Sequence, residues 1–155
     1  MNIKHQIDAM WELLELYRDV TKKRWSRNLP LDEMIFERGE RAIYLGFGVD
    51  TTIYHNSYVY GDVKVGDNTW IGPFTILDGT GGLTIGSNCS ISAGVHIYSH
   101  STVKWAVTGG EAPYEYAPVE IGDNCYIGPH AVIAMGSKIE TGTIVPAHSL
   151  IGEKK

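Results

Sequence analysis

A chain of 155 residues with 43% hydrophobic content has the length of one domain and enough apolar material for a sizeable core. Its formal charge of -5, with lysines and arginines scattered rather than massed, argues against an electrostatic grip on nucleic acid or an anionic membrane and directs attention to small molecules. Cys89 and Cys125 stand alone, which rules out a four-thiolate zinc site and gives no disulfide framework.

The first segment, Met1 to Val20, mixes charged and apolar residues and lacks the uninterrupted apolar run of a signal peptide or membrane span, so a cytoplasmic location is expected. Ile3, Ile7, Met10, Leu14 and Tyr17, with Trp11 and Leu13 alongside, recur at helical spacing, and Asn2 stands where an N-cap belongs. This predicts a helix packed on the first coil of the repeat domain or on a neighbouring subunit. Arg24 to Glu40 reads as a polar connector holding Pro30. The expected organisation is therefore residues 1–40, helix and connector, and residues 41–155, the repeat domain.

From Phe47 onward a large apolar residue returns at every sixth position: Phe47, Ile53, Val59, Val65, Ile71 and Leu77, then Ile85, Ile91 and Ile97, then Ile121, Ile127, Ile133, Ile139, Val145 and Ile151. Four residues after each comes a small or β-branched side chain, among them Thr51, Ser57, Thr69, Cys89, Cys125, Ala131 and Ser149. Both cysteines fall in this slot and read as inert core. A helix repeats near 3.6 and a half-buried strand near 2, so neither explains the pattern. A triangular coil does, each six-residue unit supplying one short strand and one turn. Stacked coils pair edge to edge as parallel sheets around an interior that no coil can bury alone.

The register breaks twice. Two extra residues fall in Asp78-Gly79-Thr80-Gly81-Gly82, a glycine-rich bulge at a corner. Between Ile97 and Ile121 the repeat vanishes, and residues 98–118, with Lys104-Trp105, Gly109-Gly110 and Tyr114-Glu115-Tyr116-Ala117-Pro118, read as a loop thrown out of the prism. Its length and aromatic content point to function rather than disorder.

This pattern resembles the hexapeptide-repeat superfamily, which implies an all-β fold, a left-handed parallel β-helix. The general rule for parallel crossovers favours the other hand, so the handedness comes from the resemblance alone. The segment Ser92-Ala93-Gly94-Val95-His96-Ile97-Tyr98-Ser99-His100, followed by the loop and then Ile121-Gly122-Asp123-Asn124-Cys125-Tyr126-Ile127-Gly128, resembles the maltose, galactoside and lipopolysaccharide O-acetyltransferase branch. That likeness covers roughly Tyr58 to Ile151. It implies a homotrimer that moves an acetyl group from acetyl-CoA to a hydroxyl of a sugar-type acceptor, of the cell-surface polysaccharide kind, without a metal. His100, at the strand end where the loop begins, matches the branch's general base. The chemistry asks for such a group, because a sugar hydroxyl attacks a thioester at neutral pH only if a neighbour takes its proton, and an imidazole of pKa near 6.5 can do so.

By the same resemblance, Asp78, Tyr98 and Trp105 are expected at the acceptor, and Tyr126, Gly128, Pro129, Ala134, Gly136, Ala147 and Gly152 along the acetyl-CoA groove between prisms. Lys138, Lys154 and Lys155 are candidates for the cofactor phosphates. Two departures stand out. Ser101 follows His100 where many relatives carry Asp or Pro, and Pro129 stands where relatives offer a backbone N–H to the thioester, which proline lacks. Three alternatives stay open: N-acetylation of an amino sugar, a γ-type carbonic anhydrase with His96 and His100 on a metal, and a binding scaffold without catalysis. His5, His55, His130 and His148 read as surface residues.

Overall fold

The computed structural model describes residues 2–152, which form two compact units, one ending at Glu37 and the other beginning at Arg38. In the first, helix α1 spans Ile3–Trp25. The Asn2 side chain caps it by accepting the Lys4 N–H at 3.1 Å, and Lys22, Lys23 and Arg24 in the last turn complement the negative end of the helix dipole. Ser26 closes it in the left-handed conformation, φ 53°, donating its N–H to the Lys22 carbonyl. Pro30 precedes a short helix α2, Leu31–Ile35. Among the described residues no helix is long and apolar enough to cross a membrane.

The second unit opens with helix α3, Arg38–Tyr44, so the last residues of the expected connector join the repeat domain. Ala42 is fully buried in the core of that domain, and the Arg41 guanidinium donates to the Tyr54 carbonyl and, at 2.8 Å, to that of Ser57. Beyond it the chain winds a parallel β-solenoid of about five turns, consistent with a left-handed β-helix of hexapeptide repeats. The first face stacks Thr52–Ile53, Trp70–Ile71, Ser90–Ile91, Tyr126–Ile127 and Ile144–Val145. The second stacks Tyr58–Val59, Ile76–Leu77, His96–Ile97, Val132–Ile133 and Leu150–Ile151. The third stacks Val63–Val65, Leu83–Ile85, Val119–Ile121 and Lys138–Ile139.

The six-residue period places one apolar side chain inward per face. Ile53, Ile71, Leu77, Ile91, Ile97, Ile127 and Ile133 are all fully buried, each worth roughly 1.5–3 kcal/mol of transfer from water. The small slot has a second duty besides fitting a corner. Thr51 and Thr69 donate their hydroxyls to the Gly66 and Gly86 carbonyls of the next coil, and Cys89 and Cys125 donate their thiols to those of Gly122 and Glu140, at 2.7, 3.0, 3.2 and 3.2 Å. The cysteines thus continue a threonine ladder, and burial pushes the Cys89 thiol pKa up. Asp50, Asn68, Asn88 and Asn124 turn one corner at positive φ, which short polar side chains tolerate better than branched ones.

The two register breaks behave differently. The bulge lies within a continuous strand, Ile76–Ile85, that runs round the corner from the second face to the third beside Tyr58–Val65. Residues 98–118 are not a structureless loop: His100–Ser101 pairs antiparallel with Glu115–Tyr116, and helix α4, Val103–Val107, lies between them. Lys104 Nζ meets Glu115 Oε1 at 2.6 Å, and the Trp105 and Tyr114 rings meet edge to face with centroids 5.6 Å apart. Local pairing replaces the coil-to-coil periodicity, which is why no six-residue pattern marks this segment.

Candidate functional site

His100 leaves the second face at the corner where the excursion begins, and directly beneath it the bulge carries Asp78. The Asp78 carboxylate is 1% exposed and the His100 side chain 32% exposed, with Nδ1 at 2.5 Å from Asp78 Oδ2. The remaining acceptor capacity of the carboxylate is used as well. Oδ1 takes the Thr80 N–H at 3.0 Å and the Thr80 hydroxyl at 2.6 Å, and Oδ2 takes the Ser99 N–H at 2.9 Å. Burial pushes the Asp78 pKa up, but the hydrogen bonds from Thr80, His100 and Ser99 outweigh it and hold the carboxyl below its ordinary value of 3.8. An ionised carboxylate only accepts, so the His100 proton sits on Nδ1 and the Nε2 lone pair is left free.

The ring opens onto a groove of about 440 Å³ lined by Tyr98, His100, Ser101, Thr102 and Val103 on one side and by Val132, Ala134, Met135, Leu150 and Gly152 on the other. The aliphatic wall comes from the outward positions of the second face and its far corner. One side is therefore apolar enough for an acyl or pantetheine chain, and the other carries a base and hydroxyls. Among the described residues, His100 and Tyr98 are the titratable side chains that line it. Burial, with the nearby charges of Asp78 and Tyr60, pushes the Tyr98 pKa up, keeping that phenol neutral.

The residues expected from the sequence separate into groups. His100, Tyr98, Ala134 and Gly152 come together in the groove. Asp78 lies beneath the ring with every oxygen engaged, so it faces His100 and not an open acceptor space. Gly136, at φ 74°, donates its N–H to the Ala117 carbonyl of the excursion at 3.3 Å. Trp105 stays half exposed on α4 against Tyr114. Tyr126 points out from the first face, and Gly128, Pro129 and Ala147 form the corner between the first and second faces, where the Pro129 carbonyl accepts the His148 N–H. These four are separated from His100 by the width of the second face. Lys138 is exposed on the third face near Glu140, and Lys154 and Lys155 lie outside the described residues. Sequence reasoning missed Thr80 and Ser99, the other two groups that bind Asp78.

His96 places Nδ1 3.3 Å from the Tyr98 hydroxyl, and His130 and His148 stack on each other at a corner, centroids 5.3 Å apart. Among the described residues no three His, Cys, Asp or Glu side chains are grouped to hold a metal ion.

A family model described as bacterial transferase hexapeptide (six repeats) matches residues 118–153, and one described as hexapeptide repeat of succinyl-transferase matches residues 62–99. Over 112 residues the chain is 30% identical to a 2,3,4,5-tetrahydropyridine-2,6-dicarboxylate N-succinyltransferase of Paramagnetospirillum magneticum, covering 72% of this chain and 35% of that protein, so it spans about a third of that relative's length. Among solved structures it is similar to a mutant of AntD, an N-acyltransferase from Bacillus cereus, in complex with dTDP and coenzyme A: TM-score 0.60, 20% identity, 75% of this chain and 79% of that one. Another AntD mutant, in complex with dTDP-4-amino-4,6-dideoxyglucose and coenzyme A, matches with TM-score 0.58 and 19% identity over 73% and 77% of the chains. A hexapeptide-repeat-containing acetyltransferase from Vibrio cholerae matches with TM-score 0.53 and 18% identity over 90% and 81%.

Proposed function

Since the chain is a hexapeptide-repeat protein, we propose that it is an acyltransferase that moves an acetyl group from acetyl-CoA to a sugar-type acceptor, with His100 as the general base. The observation that carries this reading is the Asp78–His100 pair beside a half-apolar groove. His100 Nε2 takes the proton of the acceptor hydroxyl as its oxygen attacks the thioester carbonyl, and the tetrahedral intermediate then expels the CoA thiolate. The imidazolium returns its proton to the thiolate, so no acyl-enzyme forms. Asp78 stabilises the imidazolium and fixes the ring, a positioning role in place of the acceptor contact expected for it.

The sulfur end of CoA belongs along Ala134, Met135 and Gly152, beside the base. Tyr126, Gly128, Pro129 and Ala147 belong to a groove completed by a second copy, and closed cyclic assembly of three copies gives three equivalent grooves; the proposed working unit is this homotrimer, acting in the cytoplasm. The O-acetyltransferase branch, with a polysaccharide-type acceptor, rests on the motif that ends at His100. A second reading is N-acylation of an amino sugar, favoured by the likeness to an N-acyltransferase bound to an amino-sugar nucleotide. A screen of sugars, amino sugars and nucleotide sugars with acetyl-CoA, reading out free thiol, separates the two.

His100→Ala tests the base directly. Turnover falls by roughly 10² to 10⁴ while affinity for CoA and the thermal midpoint stay close to wild type. Near-normal turnover of the variant at saturating substrates, with chemistry limiting, removes His100 from this role.

A further inference from the structure

The glycine-rich bulge is a two-residue departure from an otherwise strict repeat, and its contacts are specific. In the preceding coil Asp62 alone separates Gly61 from Val63, whereas Thr80, Gly81 and Gly82 separate their partners Gly79 and Leu83. The insertion is held tightly. A Cβ on Gly79 would collide with the Asp62 carbonyl and one on Gly81 with the Ser99 carbonyl, and the Gly81 N–H donates to Ser99 Oγ at 2.7 Å. Glycine is required at both positions because backbone approaches backbone.

The side chain delivered by this extra length is Thr80. Its hydroxyl touches both members of the pair, lying 2.6 Å from Asp78 Oδ1 and 3.0 Å from His100 Nδ1. A hydroxyl has one proton. Donated to Asp78, it leaves only lone pairs toward Nδ1, so the imidazole N–H sits between two acceptors, the carboxylate and the threonine oxygen.

We propose that Thr80 is a positioning residue for His100, and that the two-residue insertion serves to deliver it. The hydroxyl does two things. It holds the ring in the plane that points Nε2 into the groove, and it draws charge from the carboxylate, so that Asp78 orients the imidazole without binding its proton too tightly. Without this hydroxyl the Nδ1–H loses one of its two acceptors and the carboxylate loses a donor, so the ring is held less firmly toward the groove. The inference rests on His100 as the base, and its test has a readout that needs no substrate.

Thr80→Val keeps the shape and removes the hydroxyl; Thr80→Ser keeps the hydroxyl. Nitrogen-15 NMR of the histidine rings, with the His100 signals assigned by their loss in His100→Gln, reports the hydrogen bonding at Nδ1 in the free protein. The His100 Nδ1 signal of Thr80→Val, compared at one pH, moves from its wild-type position and that of Thr80→Ser returns to it. In the acyl-transfer assay, Thr80→Val lowers kcat roughly tenfold with KM for acetyl-CoA unchanged, and Thr80→Ser restores it. An unmoved Nδ1 signal in Thr80→Val overturns the positioning role whether or not the protein is an acyltransferase. A moved signal with no acyl transfer by the wild-type protein refutes the functional reading and leaves the positioning role standing.

Discussion

Asp78→Asn changes one atom and tests the logic of the whole site. Each carboxylate oxygen faces donors: the N–H and hydroxyl of Thr80 on one side, the Ser99 N–H and the His100 ring on the other. A carboxamide has one oxygen and one NH₂, so whichever way it turns, a donor meets a donor. Turned toward Thr80, the NH₂ opposes a backbone N–H that cannot rotate. Turned toward His100, it opposes the Ser99 N–H and accommodates the ring only if the proton moves to Nε2, which removes the base. The stability loss is that of about one buried donor left unsatisfied, ~1–3 kcal/mol, or a thermal midpoint lower by roughly 2–12 °C for a chain of this size. Turnover falls by up to about 10⁴, the cost of an imidazole held in the wrong tautomer. Acidity gives a further sign. Because the folded-state pKa of Asp78 lies below the unfolded one, the ionised carboxylate adds stability above about pH 4, and that contribution is lost as pH falls through the lower folded value. Urea unfolding at a series of pH values shows this acid loss in the wild type and a smaller one in Asp78→Asn. Free-thiol release gives the rates. A variant with wild-type turnover and the same acid profile refutes the role assigned to the pair.

Replacing residues 104–116 by a short turn removes α4 and the Lys104–Glu115 and Trp105–Tyr114 contacts but no member of the solenoid core. Acceptor use should suffer while the thermal midpoint holds within a few degrees, and loss of folding would show that the hairpin is core. Light scattering under native conditions should give about three chains per particle, because the residues expected to hold CoA lie on two separated parts of one prism. A fully active monomer would rule out a groove shared between copies.

The solenoid was legible because its signal is redundant. A position such as Ile97 is specified by its own hydrophobicity, by Ile91 six residues before it, and by the coils on either side that stack Leu77 and Ile133 against it. The corners carry independent signals of their own, in the asparagines at positive φ and the small inward residues that reach the next coil. The excursion was legible only as an absence of period. Its antiparallel pairing of two residues with two offers too short an alternation to read, and α4 lacks the length at which a helical stripe emerges.

The sequence marks His100 as a candidate base but not the groups that surround it, and the reason lies in how a solenoid stores neighbourhood. Stacked residues in an unbroken repeat stand eighteen apart, as Thr52 and Trp70 do, but across the insertion the offset grows to twenty, as for Trp70 and Ser90. Thr80 and His100 are twenty apart, and Asp78 and His100 twenty-two. The second-face ladder runs at the same offset, with Ile76 on His96 and Leu77 on Ile97, so Thr80 falls level with His100 and Asp78 two residues before it. A two-residue insertion is therefore more than a tolerated irregularity at a turn. It lengthens the corner beside His100 while the core ladder resumes at Leu83 and Ile85, so polar groups can be brought to a base without disturbing a single inward aliphatic. Wherever a strict repeat gains residues immediately before a coil that carries a candidate base, the inserted side chains are the first place to look for that base's partners.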